Sequence, residues 1–193
     1  MTKKSLITAG WLAVIYAATQ IPTIILYVFA QDLAGVSSGK LIEAILGVVS
    51  LALYLSLMLR IKQFLNERFN FHEADALLNV MILANTVGTG LVLMAIVITP
   101  LESLSEWLSV LTCVVLGVVG IIFSIKLLRL PDDLCGLLKP YAYTYMVGSV
   151  LTASVVLLPL AIIVGVASSI MLGMIFFRAA DSEGSPTGAV LTP

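Results

Sequence analysis

The stretch VVLLPLAIIVG, Val155 to Gly165, decides the fold. It sits inside an uncharged run from Pro140 to Phe177, 38 residues in all. As one helix that run would be about 57 Å long at 1.5 Å per residue. A tilt of about 40° still leaves about 44 Å along the bilayer normal, against a hydrocarbon core of about 30 Å. Divided at Pro159 the run gives Tyr141–Leu158 and Leu160–Phe177, each about 27 Å long and a fair match to the bilayer. Proline lacks an N–H and crowds the preceding turn, so a break at Pro159 costs little. The chain is therefore expected to double back there through a tight outer turn. A re-entrant pair of half-helices is the alternative.

Working outward, four more uncharged runs make spans: Ser5–Gln31, Ala44–Leu59, which Leu41 and Ile42 extend beyond Glu43, Ala76–Leu101 and Trp107–Ile125. The expected spans are thus about 6–30, 41–59, 76–99, 106–126, 141–158 and 160–177. Composition agrees. Hydrophobic residues make up 60% of the chain and charged residues 11%, against about 45–50% and 25% in soluble domains. The mean hydropathy is +1.12. The first run is longer than the apolar core of a secretion signal, so it reads as a span.

Charge sets the orientation. The chain has ten Lys and Arg. Lys3, Lys4, Arg60, Lys62, Arg68, Lys126, Arg129, Lys139 and Arg178 fall on one side of a six-span topology, and Lys40 alone on the other. Cytoplasmic loops are the basic ones, so both termini are expected to be cytoplasmic. The fold class is an all-α polytopic bundle of a bacterial inner-membrane type.

Between the spans, Asn70–Glu73 and Ser103–Glu106 have the spacing of helix-start capping boxes. Segment 60–69 carries Ile61, Phe64, Leu65 and Phe69 on one helical face, and 131–138 begins with proline and two aspartates. Both read as amphipathic segments on the inner surface, the alternative for 60–69 being a simple extension of the second span. Residues 179–193 are small and polar and read as a disordered tail.

No Asp, Glu, Lys, Arg or His lies near the middle of any expected span. Such groups normally mark ion relays and intramembrane catalysis, so this chain is not expected to be a proton-coupled transporter. The mild polar positions that remain are Gln20 and Pro22 in the first span and Asn85 and Thr86 in the third. They mark a possible path for an uncharged solute, although interhelical hydrogen bonding also accounts for them. Small residues recur at helix-packing spacing: Gly120 and Ser124, Ser149 and Ala153, and Gly165, Ser169 and Gly173. Trp11, Trp107, Tyr141, Tyr143 and Tyr145 are expected as anchors at the headgroup level.

Other chemistries find little support. The single histidine, in His72-Glu-Ala-Asp75, lacks the second histidine of a zinc helix. Cys113 and Cys135 form no metal or disulfide pattern. No cofactor motif and no basic tract for nucleic acid is present. The expected partners are the bilayer and either further copies of the chain or a larger membrane complex. The first functional reading is a non-enzymatic accessory or scaffold acting through helix packing. The second is a small transporter or channel for a neutral or lipid-like solute. The third is an enzyme at the inner headgroup level, using His72, Glu73, Asp132 and Asp133.

Overall fold

A computed structural model describes residues 1–33, 37–97, 102–130 and 136–184. It is all-helical among these residues. Six α-helices follow one another: α1 Lys3–Leu33, α2 Ser37–Phe69, α3 Asp75–Val97, α4 Glu102–Leu127, α5 Leu138–Ala153 and α6 Leu158–Gly184, with a short 3₁₀ turn His72–Ala74 before α3. Five of these are long and apolar enough to cross a bilayer, all but α5. At 16 residues, α5 is about 24 Å long.

The 140–177 run does double back. Thr144 Oγ1 donates to Met171 Sδ at 3.6 Å, and Gly148 lies against Val164, so α5 and α6 are antiparallel. The break falls at Ser154–Leu157, earlier than Pro159, which sits in the first turn of α6. Proline is at home there, where its missing N–H is not needed. The turn itself is almost free of polar side chains yet leaves no amide unpaired. Ser154 N–H donates to Val150 O, Val155 N–H to Thr152 O, Val156 N–H to Ser154 O and Leu158 N–H to Val155 O. Leu157 N–H donates to the Oγ of Ser154, the residue that ends α5, at 3.4 Å. Such self-sufficiency is what an apolar environment demands of a turn. The cost is local: Val155 has φ 58°, a left-handed conformation that a β-branched residue adopts under strain.

The helices close into a ring. Each packs on its neighbours in sequence, and α6 returns to pack on α1. All six turn apolar side chains outward, among them Ile15, Ile45, Leu83, Leu111, Val147 and Ile163, each about half exposed. An outer surface of that kind has lipid as its natural solvent.

One end of the ring gathers the basic residues. The Met1 ammonium pairs with the Glu67 carboxylate, and Arg68 Nη1 donates to Ser182 Oγ at 3.3 Å. Lys126 Nζ donates to Glu73 O at 2.8 Å, and Arg60 Nη1 to Ser5 Oγ at 2.7 Å. Beneath these polar contacts lies a tightly buried plug of Leu6, Phe64, Leu78, Phe123, Leu127, Ile175 and Phe176, with Phe64 edge-on to Phe176 at 5.4 Å.

Several boundaries differ from the sequence expectation. Segment 60–69 continues α2 without interruption, because nothing between Ala44 and Phe69 breaks a helix. Its apolar face, Ile61, Phe64 and Leu65, is buried in the plug. Amphipathic spacing alone does not distinguish a lipid surface from a protein interior. Asn70 does not cap α3. It has φ 48°, and its N–H donates to Asn66 O at 3.1 Å, so it closes the C-terminus of α2 as an αL cap. Helix α4 starts at Glu102, which puts Ser103–Glu106 inside it. Helix α6 runs to Gly184, and Ala179 and Ala180 are buried in the plug. Their small size, read as a sign of disorder, serves close packing. Of the 131–138 segment, 131–135 lie outside the described residues, and Leu138 opens α5. The tail from 185 onward is outside them too.

Candidate functional site

The ring encloses a cavity of about 210 Å³. Every helix contributes to its wall: Tyr16 and Gln20 from α1, Tyr54 from α2, Asn85 from α3, Leu116 from α4, Tyr141, Tyr145, Ser149 and Thr152 from α5, and Gly165, Ser168 and Ser169 from α6. The cavity runs from the plug toward the α5–α6 turn, where Thr152 and Ala161 line it. The lining is more apolar than polar, and among the described residues no Asp, Glu, Lys, Arg or His is part of it.

Helical spacing explains which side chains arrive there. Tyr16 and Gln20 are four apart on α1 and so share a face, as do Tyr141 and Tyr145 on α5. Tyr143 lies between the latter two and points away; it is exposed, while Tyr141 is 3% exposed. Tyr16 and Gln20 share the cavity wall with Tyr54 and Asn85. Asn85 Oδ1 accepts from Thr89 Oγ1 at 3.2 Å. The rings associate in edge-on or tilted pairs: Tyr16 with Tyr54 at 6.1 Å, Tyr141 with Tyr145 at 5.8 Å and Phe123 with Tyr145 at 5.8 Å. These are ordinary aromatic contact distances. Tyr145 Oη donates to Met81 Sδ at 3.9 Å, tying α5 to α3.

One hydroxyl stands apart. Ser149, Thr152 and Ser169 each donate to the carbonyl one turn back, at 2.8, 2.9 and 2.8 Å. Ser168 does not. It is 4% exposed, and its Oγ has no hydrogen-bond partner. Leaving a buried polar group unpaired normally costs about 1–3 kcal/mol. The other buried side-chain atom without a partner among the described residues is Asn66 Oδ1, at the basic end.

The structure therefore sorts the sequence candidates. Gln20 and Asn85 reach the cavity; Pro22 and Thr86 are exposed on the outside, and Thr86 Oγ1 donates to Ile82 O on its own helix. Trp11 and Trp107 are exposed, and Trp11 meets Phe177 edge-on at 5.7 Å. Tyr141 and Tyr145, expected at the headgroup level, turn inward. The small-residue faces meet within the chain. Gly120 packs on Ser149, and a Cβ at Gly117 would stand 2.6 Å from Ala153 Cβ and 2.7 Å from Ser149 O. Ser124 is fully buried, its Oγ donating to Gly120 O at 2.9 Å. Gly173 lies against Gly10 and Ala13 of α1, and Gly165 faces Gln20. Reading the sequence missed Tyr16, Tyr54 and Ser168. The four-residue spacings Tyr16–Gln20 and Tyr141–Tyr145 were the available signal for the first of these.

At the basic end, His72 Nδ1 lies 3.3 Å from Asp75 Oδ2, and Asn66 Nδ2 donates to both Asp75 oxygens at 3.0 and 3.2 Å. Lys62 Nζ donates to Asn79 Oδ1 at 3.0 Å. These contacts fasten α2 to α3. No group of three His, Cys, Asp or Glu able to hold a metal occurs among the described residues. Asp132 and Asp133 are outside them.

In comparisons with known proteins, no family model, no curated protein and no solved structure matches the chain.

Proposed function

We propose that this chain is a six-span protein of the cell membrane, of a bacterial inner-membrane type, with both termini cytoplasmic. It binds a small uncharged solute in the cavity at the centre of the ring and carries it from the side opposite the basic end. The orientation follows from nine basic residues at one end against Lys40 alone in the first turn of α2, by the positive-inside rule. Helix α5 is then a short span whose apolar turn sits at the outer face.

One observation carries the reading. Gln20 and Asn85, the polar residues deepest in the first and third spans, line a single cavity to which all six helices contribute. The lack of charge in the lining selects for a neutral guest, because an unpaired ion would be costly to bury there. The plug at the basic end argues for a carrier with one accessible side at a time, in contrast to an open channel. The accessory reading rested on the absence of deep charges and on the small-residue faces, and Gly120, Ser149, Ala153 and Gly173 of those faces pack within the chain.

The test is binding and uptake by the whole chain reconstituted in lipid. Thermal unfolding is followed against a panel of neutral and charged small molecules, and the neutral compounds that stabilise the protein are then tried for uptake into proteoliposomes. Neutral compounds are expected to stabilise the wild type, and Asn85→Leu is expected to abolish both the stabilisation and the uptake. Stabilisation by charged compounds alone, or an unchanged response in Asn85→Leu, would contradict the proposal.

A further inference from the structure

We infer that the α5–α6 turn ends inside the hydrocarbon of the outer leaflet, about 10 Å below the rim formed by α3 and α4, and that phospholipid acyl chains of that leaflet fill the notch above it. The inference rests on the proposed orientation of the six spans.

Contacts between helices fix the level of the turn. Phe123 of α4 meets Tyr145 of α5 at 5.8 Å. Gly120 packs on Ser149, and Gly117 lies against Ser149 and Ala153. Helix α5 ends at Ala153, so it stops beside Gly117. The turn Ser154–Leu157 adds at most about one helical pitch, roughly 5 Å. Helix α4 runs on past Gly117 for ten residues to Trp107 and for fifteen to Glu102, about 15 and 22 Å. Helix α3 keeps pace with it. Gly88 lies against Thr112, and α3 continues from there for nine residues to Val97. The outer face of the ring is therefore stepped, high along α3 and α4 and low at the α5–α6 turn.

Burial records the same step. Ser124, Gly120, Gly117, Cys113 and Val110 share one face of α4, three or four residues apart. Ser124, Gly120 and Gly117 are buried beneath α5. Above the end of α5 the face opens: Cys113 is partly exposed and Val110 is 40% exposed. Val156, at the crest of the turn, is 86% exposed.

The bilayer supplies the scale. Lys126 and Trp107 are nineteen residues apart on α4, about 28 Å, which matches the hydrocarbon core. Trp107 is well exposed, as suits a tryptophan at the membrane surface. Gly117 lies nine residues from Lys126, about 14 Å. With the turn added, the crest stands about two-thirds of the way across.

The chemistry of the notch fits that depth. The turn pairs its own amides, as hydrocarbon requires, and Val156, Leu157 and Leu160 are exposed around it. A second copy of the chain fits less well, because close helix approach needs small residues and Val110, Val156, Leu160 and Ile163 are all bulky. These side chains continue the apolar outer surface of the ring. Lipid covers the outward side of the turn; Thr152 and Ala161 line the cavity on its inward side.

Site-directed spin labelling of the whole chain in phosphatidylcholine nanodiscs tests the inference. Cys113 and Cys135 are replaced by alanine, and Val156→Cys, Val110→Cys or Leu104→Cys carries the label. Collisions are read with oxygen, which concentrates in hydrocarbon, and with a neutral nickel chelate, which stays in water. The oxygen-to-nickel collision ratio at 156 and at 110 should exceed that at 104, on the rim, several-fold. Leu160→Cys, at a half-exposed position, gives a second reading of the hairpin if Val156→Cys fails to fold. Nickel access at 156 equal to that at 104 would overturn the inference by placing the turn in water. Few collisions with either reagent at 156 and 110 would overturn it too, because protein and not lipid would then fill the notch. Nickel shielding at 104 as strong as at 156 would overturn the placing of the rim. The solute-binding test reads none of these positions, so the two readings can fail separately.

Discussion

The two halves of the ring differ both in the residues that fill their centres and in how closely these pack. At the basic end, Leu6, Phe64, Phe123, Ile175 and Phe176 fill the centre and are almost fully buried. Toward the α5–α6 turn, the centre is instead lined by tyrosines, carboxamides, serines and small residues around a void. In lipid, apolar side chains gain nothing by leaving the hydrocarbon, so stability comes from contact density and interhelical hydrogen bonds. The plug maximises the first. The cavity half forgoes it, while each half leaves one buried polar atom unpaired, Ser168 Oγ on the cavity side and Asn66 Oδ1 at the basic end. The contrast teaches where substitutions should hurt the fold and where they should hurt only ligand binding.

The largest expected effect breaks the plug. Phe176→Ala should cost about 3–5 kcal/mol of stability, read from the unfolding midpoint in mild detergent. Leu116→Ala on the cavity wall, which already borders empty space, should cost well under half as much. Equal losses would erase the distinction between the halves. Next comes Gly117→Val, expected to cost about 1–3 kcal/mol by overpacking. The added Cβ would meet Ala153 N and Ser149 O at 2.7 Å, backbone atoms that cannot step aside. A neutral result there would mean that α4 and α5 are not held together as closely as described. Smaller and of opposite sign, Val155→Gly should stabilise by about 1 kcal/mol through relief of the left-handed valine. Loss of stability would show that the turn takes another shape. The smallest effect is Ser168→Ala, within about 0.5 kcal/mol of the wild type when no ligand is present. A large loss would mean that the hydroxyl has a structural partner after all.

Much of the fold was legible in the sequence because its cause is simple. A 38-residue uncharged run exceeds what a bilayer can hold as one helix, and the chain turns back as that length requires. What was misplaced was the turn: proline draws attention to itself, yet the chain turns at Ser154–Leu157, ahead of Pro159. The ends of the helices were less legible. Ile61, Phe64 and Leu65 have the same spacing whether they face lipid or Phe176, and Ala179 and Ala180 look like tail until their packing is known. The site was half legible. Gln20 and Asn85 stood out as rare polar groups in apolar runs. Tyr16 and Tyr54 did not, because a tyrosine in a membrane helix is ordinarily an interfacial residue. Nor did Ser168, since nothing in a sequence says which serine of a helix fails to bond to its own carbonyl.

Cysteine accessibility in intact cells tests the central claim most directly, that a cavity closed at the basic end is reached from the other side. Cys113 and Cys135 are first replaced by alanine, and Thr152→Cys or Phe176→Cys is then introduced singly. A membrane-impermeant thiosulfonate added outside should modify the cysteine at 152, more slowly in the presence of a neutral compound that stabilises the protein, and should leave the cysteine at 176 untouched. Modification at 152 only from the cytoplasmic face, or equal modification of both positions from outside, would contradict the account.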